Sequence, residues 1–339
     1  MHMKKILVIG TGGTIASAPT QNGLAPALSA DALLAAIPYA ASICEVECIQ
    51  AFSLDSTNVR PGHWLMIASI IREKYDDFDG FVVTHGTDTL AYTAAGLSYL
   101  IADSRKPVVL TGAQKPMGED VTDAKRNLTD ALLYAADDES RHICVVFNGS
   151  VIAGTRARKN YSKNFAAFAS VNYPCLAQIQ DHRILRYFPD PTDGDTRFCS
   201  YVDPNVGLLK LTPGMNNHLM RCALDCYDGL VIESFGVGGL PEYSDYFEQV
   251  SQAGEQGKLI VMTTQVPNEG SDLSVYKVGA VVKSSLRILE AHDMTSEAAL
   301  AKLMWVLGQT NDFEAARELF YQPIHHDILC REAVLEGVL

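Results

Sequence analysis

The chain has 339 residues, 47% of them hydrophobic, and a formal net charge of -13 at pH 7. This length is sufficient for two domains of ordinary size with buried cores. Asp and Glu number 40 against 27 Lys and Arg; such an acidic surface repels phosphate backbones, so we expect no nucleic-acid partner. No apolar run reaches the roughly 18 residues that a membrane-spanning helix needs, and we expect no membrane partner.

The first predicted element is a buried parallel strand over 6–9, followed by the glycine-rich turn GTGGT. Gly10 and Gly12 fit the spacing of a dinucleotide fingerprint, but Ile15 stands where its third small residue should be. A P-loop would end in Gly-Lys-Ser/Thr, and no lysine follows here. Two interpretations remain. Either Thr14 is a nucleophile beside anion-stabilising N–H groups, or the hydroxyls of the turn only cap the next segment.

The next stretch, 18–28, is rich in Pro, Gly and small polar residues, and is predicted to form a flexible loop. We expect this loop to cover any ligand bound at the preceding glycine turn. A helix over 30–36 with Ser29 as its N-cap, a strand over 43–52 and a helix over 62–75 are predicted to follow.

A second strand end repeats the opening arrangement, because the predicted strand 80–84 runs into the turn HGTDT and then a helix. A hydroxyl nucleophile needs a base that takes its proton. His85 in this turn is one candidate base, and a lysine from the basic cluster around Lys159, placed beside an aspartate, is another. The turn is also compatible with a structural role in which Thr87 or Asp88 caps the helix.

Strands and helices continue to alternate along the rest of the chain. This pattern is typical of a mainly parallel sheet with helices on both faces. We therefore predict an α/β fold with two domains, a larger N-terminal one with such a sheet and a smaller C-terminal α/β one. The predicted boundaries are 1–188 for the first domain, 189–205 for a linker rich in Pro, Asp and Gly, and 206–339 for the second. The further predicted strands are 106–110, 142–147, 206–211, 229–232 and 258–263, and the further helices are 121–136, 215–226, 243–253, 296–307 and 312–320.

The eight cysteines do not favour a metal site or a disulfide framework. Cys44 with Cys48 and Cys222 with Cys226 both have the spacing C-x-x-x-C, and no matching histidines lie nearby. We expect reduced cysteines buried in the core and no bound metal.

Taken together, several stretches resemble the bacterial-type L-asparaginase family, and they follow the family in order over nearly the whole chain. The absence of an apolar segment of the signal-peptide type makes the chain similar to the cytoplasmic, type I branch, so we expect a cytoplasmic protein. The matching stretches are TGGTIA at 11–16, DST at 55–57, HGTDT at 85–89, TGAQ at 111–114, Arg158-Lys159 with the following FAAFASVNYP, GVGGLP at 236–241 and DMTSEAALAKLMWVLGQ at 293–309.

The resemblance implies hydrolysis of asparagine to aspartate and ammonia through a threonine ester, without a cofactor. Thr14 would be the nucleophile, and His85 an orienting or packing residue rather than the base. The other implied site residues are Thr87, Asp88 and Lys159 for proton transfer, Asp55, Ser56, Thr57 and Asp88 for the two ends of the substrate, and backbone N–H groups near Thr87 and Ala113 for the oxyanion.

One departure from the family concerns the loop after the nucleophile. Members commonly carry a tyrosine where this chain has Leu24, which offers no hydroxyl to assist Thr14. Our hypothesis is that Tyr276 substitutes, because some relatives place a functional tyrosine at the matching position; a tyrosine packed at a domain contact is the alternative.

The resemblance also implies a homodimer or homotetramer in which a neighbouring subunit completes the site. Asparagine is the expected substrate and glutamine a possible one, because one methylene changes discrimination by only about 1–3 kcal/mol. Two other functions stay open: the amidase subunit of a tRNA-dependent amidotransferase, and a non-catalytic amino-acid sensor.

Overall fold

The computed structural model describes residues 3–20, 23–192 and 194–329. The chain forms two compact units, the first ending at Ser200 and the second beginning at Tyr201. Part of the predicted linker is structured within the first unit, because Arg197–Phe198 pairs antiparallel with Ile101–Ala102. None of the helices in the described part of the chain has the length and apolarity needed to cross a membrane.

The first unit contains fourteen strands and four α-helices among its described residues. Three short 3-10 turns, Thr14–Ala16, Pro38–Ser42 and Ser56–Asn58, connect some of them. The helices are α1 (Ala30–Ala35), α2 (Pro61–Lys74), α3 (Leu90–Leu100) and α4 (Ala124–Ala135). The strands are β1 (Lys5–Gly12), β2 (Ser17–Thr20), β3 (Gly23–Pro26), β4 (Glu45–Leu54), β5 (Gly80–Thr84), β6 (Ile101–Ala102), β7 (Val108–Thr111), β8 (Ile143–Phe147), β9 (Ser150–Ala153), β10 (Ala157–Lys159), β11 (Phe168–Ser170), β12 (Ala177–Gln180), β13 (Arg183–Arg186) and β14 (Arg197–Phe198).

Eight of these strands form the main sheet, in the order β13-β12-β9-β8-β7-β5-β1-β4. The pairs from β8 to β4 are parallel, and the three strands at the other edge join antiparallel. In β1, which lies next to the edge strand β4, Val8 is in register between Cys48 of β4 and Val82 of β5. Strand β5 and all of β1 after Lys5 are buried, because both faces of a parallel sheet are covered. The predicted mainly parallel α/β fold is confirmed.

The predicted flexible loop over 18–28 is wrong for most of its length. Strands β2 and β3 pair antiparallel as a hairpin, with Ser17 opposite Pro26 and Thr20 opposite Gly23, and residues 21 and 22 lie outside the described part. The chain then returns to the glycine turn, since the N–H groups of Ala27 and Leu28 both donate to Ala16. Local composition favours a loop, but backbone pairing between the two arms does not depend on it.

The second unit is a smaller α/β domain with a four-stranded parallel sheet, in the order β15-β16-β17-β18. The sequence did not predict α7 or β18, which have few apolar residues in a clear period. The strands are β15 (Val206–Lys210), β16 (Gly229–Ser234), β17 (Leu259–Thr264) and β18 (Leu289–Glu290), and the helices are α5 (Asn217–Cys226), α6 (Tyr246–Glu255), α7 (Lys277–Ser285), α8 (Ser296–Leu307) and α9 (Phe313–Tyr321).

The prediction of core cysteines holds for Cys44, which is buried, and is wrong for Cys222 and Cys226, which are exposed. Helix α5 buries Met220 and Leu224, four residues apart. Each exposed cysteine follows one of these by two positions, and that spacing places it on the opposite side of a helix.

Candidate active site

Four neighbouring parallel strands bring the predicted site residues to one edge of the main sheet. The sheet order places β7, β5, β1 and β4 side by side. Because these strands are parallel, their carboxyl ends meet at the same edge, where ligands of open α/β sheets bind. The predicted residues follow these ends: Ala113 after β7, Thr87 and Asp88 after β5, Thr14 after β1, and Asp55, Ser56 and Thr57 after β4.

The turn that carries Thr14 contacts the turns on both sides of it. A Cβ atom on Gly13 would lie 2.2 Å from the backbone nitrogen of Gly86, so the turns after β1 and β5 touch. On the other side, the N–H of Gly13 donates to Leu54 O at 2.9 Å. Gly13 has φ 76, a conformation in which glycine is favoured. Only a glycine therefore fits here, and it sets Thr14 at the start of a short 3-10 turn.

Lys159 meets the second threonine turn from a separate two-stranded sheet, in which β10 pairs with β11. Its Nζ atom lies 2.8 Å from Thr87 Oγ1 and 2.6 Å from Asp88 Oδ1. The Lys159 side chain is 19% exposed and that of Asp88 is 56% exposed. The three predicted proton-transfer residues thus form one hydrogen-bonded group that opens to solvent on the carboxylate side.

The turn after β4 joins this group through Ser56. Its buried hydroxyl accepts the Asp88 N–H at 3.3 Å, and its carbonyl accepts the Thr89 hydroxyl at 2.7 Å. Asp55 and Thr57 are exposed, and Asp55 Oδ1 accepts both the N–H and the hydroxyl of Thr57 at 2.9 Å. This turn therefore presents a carboxylate and a hydroxyl to the edge where the threonine turns lie.

His85, the other candidate base, is completely buried. Its Nδ1 atom bonds the Gly86 carbonyl at 2.8 Å and its Nε2 atom bonds the Thr93 hydroxyl at 3.0 Å. Burial lowers the pKa of His85 to about 4. A neutral ring with both nitrogens engaged has no free position for accepting a proton from Thr14, which disfavours His85 as the base.

Two polar residues of the site escaped sequence reasoning. Gln114 Oε1 accepts the Thr87 hydroxyl at 3.2 Å. The backbone N–H of Gln114 donates to Asp123, a carboxylate that is only 6% exposed and also accepts from Lys115 N and Asn127 Nδ2. We call these hydrogen bonds of Asp123 to the turn after β7 the Asp123 clamp. The sequence contained a signal for it, because Asp123 and Asn127 stand four residues apart around the start of a helix that follows a glycine turn.

The two residues of the family departure lie in different units. Tyr276 belongs to the second unit, directly precedes α7 and is 63% exposed. Leu24 lies in β3, where its backbone is paired opposite Pro19.

The completely buried Ala113, whose backbone N–H is a predicted oxyanion donor, follows β7 in the first unit.

Two threonine turns in contact, one of which has its threonine and its aspartate hydrogen-bonded to a lysine, form a site of the kind used for nucleophilic hydrolysis by a hydroxyl. The family model described as "Asparaginase, N-terminal" matches residues 5–191, and the one described as "Glutaminase/Asparaginase C-terminal domain" matches residues 205–320. The chain therefore belongs to the asparaginase family of amidohydrolases, and the resemblance seen in its motifs is confirmed.

Known relatives span almost the whole chain. It is 40% identical to an L-asparaginase of Thermococcus kodakarensis, over 96% of this chain and 99% of the relative. It is 32% identical to L-asparaginase 1 of Escherichia coli K12, over 97% and 99% of the two chains. It is also 32% identical to a glutamyl-tRNA(Gln) amidotransferase component of Pyrococcus horikoshii, over 94% of this chain and 75% of that protein. The solved structure of the thermostable L-asparaginase from Thermococcus kodakarensis superimposes with a TM-score of 0.90, covering 96% of this chain and 100% of that one.

Proposed function

We propose that this protein hydrolyses L-asparagine to L-aspartate and ammonia, with Thr14 as the nucleophile. The observation that carries the proposal is the Lys159–Thr87–Asp88 group, which lies on the turn that touches the glycine turn of Thr14. This arrangement places a proton-transfer group next to a hydroxyl, and a hydroxyl needs such a partner to attack an amide. The relatives named L-asparaginase support asparagine as the substrate.

The reaction proceeds in two balanced steps. In the first, Thr14 Oγ1 bonds to the side-chain carbonyl carbon of asparagine, the carbon–nitrogen bond breaks, and the hydroxyl proton leaves with the amide nitrogen as ammonia. In the second, water adds to the resulting ester, Thr14 regains its proton, and aspartate is released. Thr87 Oγ1 and Lys159 Nζ, 2.8 Å apart, provide the path along which protons move.

The remaining polar groups serve to bind the two ends of the amino acid. The Asp88 carboxylate is available to the α-ammonium group, since it is the exposed partner of the lysine pair. Ser56 offers its hydroxyl hydrogen to the α-carboxylate, since its oxygen only accepts in the contact with Asp88. Both donors of Thr57 are engaged by Asp55, so Thr57 contacts the substrate by exchanging one of these two bonds. Backbone N–H groups at Thr87 and Ala113 stabilise the oxyanion.

Tyr276 remains the proposed replacement for the hydroxyl that Leu24 cannot supply. Its exposed side chain is available for such a role, since it does not pack within the core of the second unit. The substitution Tyr276→Phe removes only the hydroxyl, so we expect kcat to fall. Leu24→Tyr in the same variant is expected to restore part of it. Full turnover in Tyr276→Phe would remove this residue from the mechanism.

Ammonia release from asparagine and from glutamine tests the function directly. We expect the wild type to release ammonia from asparagine, and Thr14→Ala to release none. Thr14→Ser, which keeps a hydroxyl, is the matched control and is expected to retain measurable turnover. A wild type that binds asparagine without releasing ammonia would favour the amino-acid sensor, and turnover in Thr14→Ala would exclude Thr14 as the nucleophile.

The similarity to the amidotransferase component favours a second candidate, in which released ammonia is passed to a partner enzyme. That function predicts glutamine as the preferred substrate and stimulation by glutamyl-tRNA and the partner enzyme. Comparison of kcat/KM for asparagine and glutamine, measured with and without glutamyl-tRNA, separates the two candidates. Preference for asparagine without stimulation supports the asparaginase.

A further inference from the structure

His85 is a buried polar residue that takes no part in the proton transfers of the proposed hydrolysis. It lies two positions before Thr87, in the turn after β5, and no part of it is exposed. Its backbone is fixed from one side, since its N–H donates to Thr111 O at 2.8 Å and a Cβ on Gly112 would lie 2.3 Å from its carbonyl oxygen. Its ring is fixed from the other side by Thr93 of α3.

The partners of the ring determine which nitrogen carries the proton. A carbonyl oxygen only accepts hydrogen bonds, so the contact of 2.8 Å with Gly86 O requires a proton on Nδ1. In a neutral ring Nε2 is then the acceptor, and the Thr93 hydroxyl donates to it at 3.0 Å. The Gly86 carbonyl thereby selects the tautomer, and the Thr93 hydroxyl stabilises it by donating to Nε2.

Holding the Gly86 carbonyl also fixes the next N–H group. The carbonyl of Gly86 and the N–H of Thr87 belong to the same peptide plane, and that peptide is trans, as are all others in the described part of the chain. In a trans peptide these two groups point in opposite directions. The Thr87 N–H therefore points away from His85, and within the described residues it has no hydrogen-bond acceptor.

We propose that His85 is a positioning residue, which aims the backbone N–H of Thr87 at the carbonyl oxygen of the substrate. The proposal rests on the proposed asparagine hydrolysis, in which this N–H stabilises the oxyanion. Such a donor acts only when it is already oriented before the reaction, since reorientation during the reaction would cost part of the stabilisation. Thr93 supports this positioning indirectly, because its hydroxyl donates to Nε2 and so stabilises the tautomer with the proton on Nδ1.

Two amide substitutions separate this role from simple filling of space. The side-chain nitrogen of an asparagine lies close to the position of histidine Nδ1, whereas that of a glutamine lies close to Nε2. His85→Asn therefore keeps a donor for the Gly86 carbonyl, and His85→Gln places it at the wrong atom. We expect kcat for asparagine to stay within about 3-fold of wild type in His85→Asn and to fall roughly 10- to 100-fold in His85→Gln, with KM little changed in both.

A second pair of variants keeps the test decisive if changes at position 85 prevent folding. Thr93→Ser keeps the hydroxyl that donates to Nε2, and Thr93→Val removes it at nearly constant volume. We expect a lower kcat for the valine variant and not for the serine variant. Equal losses within either pair, or losses confined to KM, would overturn the proposal.

The orientation is also measurable without substrate, which separates this proposal from the proposed function. In protein labelled with ¹⁵N-threonine, the amide resonance of Thr87, assigned by its loss in Thr87→Ser, reports on its peptide plane. We expect this resonance to shift in His85→Gln and to stay near its wild-type position in His85→Asn. An unchanged resonance in both variants refutes the positioning role, whatever the wild type hydrolyses.

Discussion

Replacing Lys159 by methionine is expected to lower turnover strongly while leaving stability almost unchanged. Methionine keeps most of the aliphatic stem but removes the ammonium group that contacts Thr87 at 2.8 Å and Asp88 at 2.6 Å. Positioned proton transfer contributes roughly 10²- to 10⁴-fold to a rate, so we expect kcat to fall by that factor. Because the Asp88 side chain is 56% exposed, water solvates it when the lysine is lost. The free energy of unfolding should then change by no more than about 1 kcal/mol.

A second lysine–aspartate pair provides the matched control. Lys302 and Asp327 lie 2.5 Å apart in the second unit, and neither side chain is exposed. Lys302→Met leaves a buried carboxylate without this partner, and breaking a buried pair in this way costs about 3–5 kcal/mol. We therefore expect Lys302→Met to lower stability strongly, with kcat of the remaining folded protein close to wild type.

Two measurements on each variant decide the matter: urea unfolding, and ammonia release from asparagine at saturating concentration. Turnover of Lys159→Met within about 10-fold of wild type would refute the assignment of Lys159 to proton transfer. If Lys159→Met lowered the free energy of unfolding as much as Lys302→Met does, the pair of Lys159 with Asp88 would instead have a structural role. In that case the loss of activity would follow from misfolding.

Three further predictions concern the surroundings of the site. Gly13→Ala would place a Cβ 2.2 Å from a backbone nitrogen of the adjacent turn, on a residue with φ 76, so we expect activity to be lost and the free energy of unfolding in urea to fall by more than about 1 kcal/mol. The control is Gly62→Ala, whose Cβ would meet no atom within 4 Å and which should be neutral or stabilising. Asp123→Asn weakens the clamp on the turn after β7, and we expect kcat to fall roughly 10- to 100-fold, a result that unchanged turnover would contradict. His85 has a folded-state pKa of about 4, below its ordinary 6.5, so the unfolded state binds more protons between these values and stability falls by up to about 3 kcal/mol as pH drops through that window. Burial raises the pKa of Asp130 from 3.8 to about 6, so this carboxyl lowers the stability of the folded state as pH rises, opposite to the effect of His85. Asp130→Asn should therefore make the free energy of unfolding rise more steeply between pH 4 and 6. An unchanged slope would contradict this prediction.

The parallel strands and their turns could be predicted from the sequence because the information for them is local. A short apolar run such as 80–84 is buried on both faces, and a glycine or polar turn marks its end. The antiparallel elements were harder to predict. Strands such as β10 and β11 have three residues each, and their pairing partner lies several residues away with no period to announce it.

The same difference separates the parts of the site. Thr14 and Thr87 follow the ends of parallel strands, so their placement at one edge of the sheet was predictable from the alternation of strands and helices. That β1 and β5 are neighbours depends on the strand order, which alternation does not determine. Lys159 arrives on a separate two-stranded sheet. The basic cluster made a lysine a candidate base, but only the family resemblance indicated its partners Thr87 and Asp88. Gln114 was missed because its contact with Thr87 depends on the conformation of a turn that Asp123 fixes from a different element.

The turn HGTDT accounts for why this site has so specific a sequence. Consecutive side chains in a tight turn point in different directions, and here each finds a different neighbour. His85 bonds to α3, Thr87 and Asp88 bond to Lys159 of β10, and Thr89 bonds to the turn after β4. A change at any of these positions disturbs a separate structural element, so no neighbouring residue can compensate. Tyr276 has no such constraint within its own unit, since it is exposed. We therefore expect Tyr276→Phe to leave the free energy of unfolding unchanged, whereas substitutions in the turn lower it.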